Sequence, residues 1–302
     1  MKTLVALLLV LLLSGCAAAS VAQPSAPAAP QEVPEESVSS EPAAPVVVPE
    51  LPEEIQYHVE MTHWSDETRA EDGAVLVSYA MDLPVLTPIR EDGTAIKEAK
   101  TEAEEKALAI AETFNQGFVN WTDTTALEWA NEAATEDYAW RQEEGIPWHD
   151  GYALDLSCTA YQTEHMISVS ACYYSYTGGA HPNTAFLGWN FDLETGTFLD
   201  AKMLGNEEFA AAVTEELIRQ ANVWAEESEL QLEELYWEDY ASIMADWSNY
   251  AVAFDEAGMT ITFSAYELAP YAAGPQVFRI PYDWMRPYLN QQGNALLGLD
   301  AT

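Results

Sequence analysis

Between Ala17 and Glu54 the chain carries eight prolines and no Lys or Arg. Nearly all of this stretch is Ala, Pro, Glu, Ser and Val. It has no periodic apolar face, and too few large side chains to offset the entropy of ordering it. Proline and like-charged glutamates keep such a segment extended. It reads as a linker, so any core must come from the 248 residues between Ile55 and Thr302. That length suits one large domain or two small ones.

What precedes the linker gives it a purpose. Lys2 leads an apolar run from Leu4 to Leu13, which closes on "LSGC", Leu13 to Cys16. A basic start, a short apolar stretch and small residues describe a secretory signal, too short to remain as a spanning helix. The ending resembles a bacterial lipobox. That resemblance implies removal of residues 1–15 and lipid on Cys16, with 16–54 as a tether to the outer face of the cytoplasmic membrane. One acyl chain anchors weakly; the several chains of a bacterial lipoprotein hold firmly.

The sequence has 50 acidic residues against 11 basic, a net charge of −39. Such a chain lacks the cationic surface that neutralises phosphates, which excludes nucleic acid as a partner. It is equally unsuited to anionic lipid headgroups. Two roles fit the charge: solubility at a crowded surface, or attraction of a basic protein, where steering raises association rates by roughly 10–10³.

With Cys16 assigned to lipid, Cys158 and Cys172 remain. They flank a turn in "SCTAYQTEHMISVSAC", which reads as a hairpin. A turn centred on His165 sets them opposite each other, within disulfide reach. A one-residue shift of register sends them to opposite faces as free thiols. The spacing leaves both outcomes open.

Alternating segments "IQYHVEM" and "AVLVSYAM" predict two strands joined at Asp72-Gly73. Helical spacing follows at Ala103, Ala107, Ile110, Phe114 and Phe118, with Thr101 and Glu104 as a capping box. A second helix is expected from Thr125 toward Glu144. After the cysteine hairpin, Leu187, Trp189, Phe191 and Leu193 share one strand face ahead of a turn at Glu194 to Gly196. Asn206 is expected to cap a helix striped by Phe209, Val213, Leu217, Ala221 and Trp224. Another helix is expected along Leu232, Tyr236, Tyr240, Ile243 and Trp247. A hairpin turning at Ala257-Gly258, one more strand and a short helix near Leu289 follow, with 290–302 as a tail. Helices set between groups of hairpins make an α+β fold, mostly antiparallel, with two pairs of packed helices.

Reactive machinery is hard to find. There is no nucleophile elbow, phosphate loop or paired-histidine zinc helix. "DLETG" lacks the spacing and closing glutamate of a calcium loop. His58, His63, His149, His165 and His181 show no ligand spacing. The expectation is therefore no enzyme, no cofactor and no metal. His181, in "YYSYTGGAHPNT" (Tyr173 to Thr184), has no Ser, Cys or carboxylate beside it as a partner. It suits a turn, or a recognition edge beside tyrosines.

"YYSYTGGAHPNT", "NFDLETGTFLD" and "FDEAGMTITFSAYELAPYAAGPQVFRIPY" together resemble the exported domain of the anti-sigma factor RsiV, over 157–289. A weaker similarity, over 55–156, is to the module's N-terminal half, also found in PdaC-type deacetylases. The resemblance implies an extracellular binding module whose partner, in the RsiV branch, is lysozyme, a basic protein. Only Met1 to Thr3 precede the apolar run and the deacetylase catalytic domain is missing, so neither anti-sigma activity nor deacetylation is expected. The expected site lies on loops 177–183 and 268–276 and their flanks: Tyr176, Gly178, Gly179, His181, Pro182, Asn183, Tyr266, Tyr271 and Gly274. Acidic helices around 207–246 would supply attraction. Peptidoglycan is the alternative ligand, and an uncharacterised hydrolase a remoter one.

Overall fold

The computed structural model of the chain describes residues 55–149 and 151–299. The expected signal, lipidated Cys16 and tether lie outside them. Among the described residues no helix is long and apolar enough to cross a membrane.

Strands β1 (Gln56–Arg69) and β2 (Val75–Ile89) form a long antiparallel hairpin, closed by a turn in which Gly73 takes φ +91°. The chain then runs through α1 (Glu102–Asn120), a π-type turn over Trp121–Leu127, and α2 (Glu128–Glu144). No break separates the two helices, so α2 starts three residues later than its expected Thr125. Returning as β3 (Tyr152–Gln162), the chain pairs parallel to β2, which a helical crossover permits. Then β4 (Met166–Tyr176), β5 (Asn183–Asp192) and β6 (Thr197–Leu199) follow antiparallel, completing a sheet in sequence order. The β5–β6 turn forms as expected: Asp192 accepts from the Glu194 and Thr195 amides, and Gly196 sits at φ +67°.

The N-terminus of α1 differs in detail from a capping box. Thr101 Oγ1 accepts from the Glu104 amide, but the Glu104 carboxylate turns instead to the Lys100 amide and to Arg90 Nε, 2.6 Å away. Glu104 is thereby buried, whereas Ala103, expected on the apolar stripe, is exposed.

A second, three-stranded sheet holds β7 (Ala251–Phe254), β8 (Gly258–Phe263) and β9 (Gln276–Pro281). It is covered by α3 (Phe209–Glu227), with α4 (Leu232–Leu235) and α5 (Tyr240–Ala245) beside it. The helix expected along Leu232 to Trp247 is thus broken in two. At the break, the Trp237 amide bonds Leu268 O instead of continuing the helix. In α3 the stripe drifts from Trp224 to Ala225, leaving Trp224 44% exposed over Phe278. Beyond α6 (Tyr282–Met285), the expected tail continues into α7 (Gln291–Leu296), buries Leu296 and Leu297, and bonds the β3–β4 turn through Thr163.

Two apolar cores result. In one, Phe114 and Phe118 of α1 meet Phe191 and Trp189 of β5; in the other, Val213 and Leu217 of α3 meet Ile261, Phe263 and Phe278. The sheets touch where β7 crosses β4 and β5. There the unpaired backbone of β7 is satisfied by buried side chains: Ser168 Oγ accepts from the Phe254 amide, and Asn190 Nδ2 donates to Val252 O. Gly188 makes this approach possible, since a Cβ on it would lie 2.3 Å from Val252 O. The fold is α+β, mostly antiparallel, and the division at 156/157 falls inside β3.

The cysteine hairpin takes the shifted register. Cys158 pairs with Ala171 and Cys172 with Ser157, so the two side chains point to opposite faces. Both thiols are free, which corrects the disulfide alternative. Burial pushes the Cys158 thiol up to about 12, and Cys172 also upward. Neither has the depressed pKa of a nucleophile.

Candidate binding site

Loop 177–182 leaves β4 at Tyr176, and the link between β8 and β9 leaves Phe263. The inter-sheet packing at Gly188 and Ser264 brings the two together; Ser264 Oγ accepts from the Phe186 amide. Their aromatic residues then stack. The rings of His181 and Tyr271 lie 4.0 Å apart at 19°, and Tyr266 extends the column at 5.3 Å from Tyr271. Tyr271 donates its hydroxyl to Pro182 O at 3.3 Å. His181 Nδ1 meets Pro182 O at 2.9 Å, and its Nε2 faces Tyr266 OH at 3.5 Å.

Tyr266 is unusual in two respects. It is 52% exposed, and its backbone takes φ +73°, a conformation rare for a bulky residue. Its carbonyl is held by Trp237 Nε1 at 3.0 Å. Beside it, Glu267 accepts from the Ser264 amide, and partial burial pushes its carboxyl above the ordinary range. Strained backbone persists where surroundings over-determine it, and such positions cluster at binding sites. Here the result is an open aromatic face on an acidic body. Stacked aromatics offer large contact area at small entropic loss, as interface anchors do.

The expected site residues divide into two groups. His181, Pro182, Tyr266 and Tyr271 meet in the aromatic column; Gly274, at φ +69°, turns the chain out of the Tyr271 loop, and Asn183 opens β5. Tyr176, Gly178 and Gly179 instead line a cleft of about 220 Å³ with Asp137, Arg141, Trp148, His149 and Tyr152. Gly178 and Gly179 hold φ +89° and +97°, and Tyr176 OH donates to Gly179 O. In the cleft, Arg141 Nε donates to both Asp137 oxygens at 3.1 Å, and its guanidinium lies 5.9 Å from the Trp148 ring centre.

Sequence reading missed Trp237, Arg141 and Trp148. Trp237 was hidden among ten tryptophans, and only the break between α4 and α5 turns its indole toward Tyr266. Among the described residues no group of three His, Cys, Asp or Glu is placed to hold a metal ion.

Fold and surface together define an α+β body with an exposed aromatic patch. Residues 74–184 match the family model described as deacetylase PdaC, and 204–283 match DUF3298, a family of unknown function. A DUF3298 member from Bacteroides fragilis has a similar fold: TM-score 0.56, 18% identity, over 82% of this chain and 98% of that one. A DUF3298 protein from Pseudomonas aeruginosa aligns at 15% identity over 79% of this chain and 95% of that one, with TM-score 0.44. No curated protein matches the chain.

Proposed function

We propose that this protein is a lipid-anchored, exported binding module that captures a basic extracellular protein, lysozyme or a similar cationic wall hydrolase, without catalysis. The observation carrying this reading is the column of His181, Tyr271 and Tyr266, built from two distant loops and left open on a chain of net charge −39. A basic partner is drawn in by the acidic surface, and the aromatic face supplies shape-specific contact. The "LSGC" ending at Cys16 supports anchoring outside the membrane, and the RsiV-like motifs support lysozyme as the ligand.

The test is titration of the protein with lysozyme at physiological salt, beside an unrelated protein of equal positive charge. Exposed charges are largely screened beyond about 8 Å there. Selective binding of lysozyme supports the reading; equal binding of both proteins, or none, removes it.

A second reading rests on the neighbouring cleft. Trp148, Tyr152 and Tyr176 supply aromatic surface, and Asp137, Arg141 and His149 supply polar groups, a combination suited to a sugar ring of peptidoglycan. Sedimentation with purified peptidoglycan, lysozyme absent, separates it from the first. The PdaC match raises deacetylation as a further reading; among the described residues no three His, Cys, Asp or Glu are placed to hold a metal ion.

A further inference from the structure

We propose that the outer edge of β1 is a strand-pairing site for an extended, basic segment of another protein, independent of the aromatic patch. The hydrogen-bonding sense of β1 can be worked out from its neighbour. In β2, both backbone groups of Leu86 are taken by the Asn115 side chain, and Pro88 O by the Ile96 amide, so even-numbered residues there turn away from β1. The odd-numbered Val85, Thr87 and Ile89 therefore face β1, opposite Glu60, His58 and Gln56. It follows that odd-numbered residues of β1 present their N–H and C=O outward. Gln162 agrees with this: its amide donates to Tyr57 O, an odd-numbered carbonyl, at 2.8 Å.

That outward ladder is closed at both ends and open between. Gln162 occupies Tyr57 O, and the Asp66 carboxylate takes the Glu67 amide at 2.8 Å. From Val59 to Ser65, the outward backbone groups of Val59, Met61, His63 and Ser65 have no partner among the described residues. An open edge of this kind pairs with other chains unless proline, repelling charged side chains (lysine above all), a bulge or a covering element blocks it. "VEMTHWS", Val59 to Ser65, contains no proline or lysine, and the strand's irregularity lies beyond it at Thr68/Arg69. The distal edge of β2, by contrast, is closed by Pro84, Asn115 and Ile96. Met61 and Trp64, 39% and 38% exposed, stand on the two faces of the open stretch.

Charge selects the occupant. Glu60, Asp66, Glu67 and Asp82 border the edge, with Arg69 at its far end. A second copy of this chain would bring the same carboxylates against themselves. A segment with lysines or arginines on alternate positions meets them favourably while its main chain completes the ladder.

The experiment uses the full-length chain and a seven-residue alternating Lys-Val peptide, with a partner peptide whose pairing amides are N-methylated. Binding is measured by calorimetry and amide hydrogen exchange. The expected result is binding of the first peptide with exchange at Met61 and His63 slowed about tenfold or more. N-methylation should weaken binding by about tenfold or more, as should Met61→Pro, which removes an outward N–H and no bond to β2. Met61→Ala should keep the affinity within about threefold, because the backbone is unchanged. Equal binding of the N-methylated peptide would mean charge alone acts and would overturn the proposal. So would slow exchange at these amides before any peptide is added, since the edge would already be occupied. If Met61→Pro does not fold, the peptide pair still decides the matter.

Discussion

The imidazole of His181 stacks on the ring of Tyr271 at 4.0 Å although the two come from loops of different sheets. The contact exists only because β7 is pressed against β4 and β5. Anything that loosens that seam should disperse the patch, which ties the proposed binding to inter-sheet packing.

Tyr271→Ala removes the central ring of the column, which touches both His181 and Tyr266. Lysozyme affinity should fall by about 30-fold, the ~2 kcal/mol of an interface anchor. Tyr271→Phe, which keeps the ring and loses only the bond to Pro182 O, should stay within about fivefold of the original. Dissociation constants of both variants check this; equal losses would mean that the hydroxyl, not the ring, matters.

Tyr266→Gly should separate stability from binding. Glycine adopts φ +73° without the steric penalty a tyrosine bears there. Urea unfolding should show stability unchanged or raised by up to ~1 kcal/mol, while lysozyme binding weakens. A loss of stability greater than ~1 kcal/mol would show that the ring's packing outweighs the strain.

Gly188→Ala places a methyl 2.3 Å from Val252 O, at the point where the sheets meet. Overpacking of this kind costs about 1–3 kcal/mol. Lower stability in urea, with weaker lysozyme binding in the folded fraction, is the expected pairing. Normal binding would show that the loops find each other without the seam.

Glu104 gives a pH-dependent test. The hydrogen bond from Arg90, followed by that from the Lys100 amide, holds its carboxyl below the ordinary range. A depressed carboxyl stabilises the fold above its unfolded value, near 4.3, and that contribution disappears as pH falls through the lower folded value. Glu104→Gln should therefore be clearly less stable than the original at pH 7. The gap should narrow below about pH 4. A gap independent of pH would assign the effect to shape instead of charge.

The two thiols should differ in reactivity. Cys172 is half-buried and Cys158 buried with its pKa pushed up to about 12. A thiol reagent should label Cys172 first in the native protein and Cys158 only on unfolding. An oxidised protein whose mass shows a Cys158–Cys172 bond would contradict the register of β3 and β4.

Some features could be read directly from the residues because they are local. Asp72-Gly73 and Asp192 to Gly196 form turns through their own side chains and positive φ, whatever surrounds them. The apolar spacing of Ile110, Phe114 and Phe118, and of Phe209, Val213 and Leu217, dictates which faces of the helices are buried. Net charge likewise needs no structure. The capping glutamate escaped this reading because Arg90, distant in sequence, competes for it.

The amino-acid order alone therefore determined the α+β class, most turns and helix faces, the acidic surface and the loops rich in Gly, Pro and Tyr. Register lay beyond it: a shift of one residue costs little locally, yet it separated Cys158 from Cys172, because burial of one strand face decides which pairing survives. The same holds for the site. Tyr266, Tyr271, His181 and Trp237 form one surface only after Gly188 lets two sheets approach, and such long-range packing leaves no periodic trace in the chain.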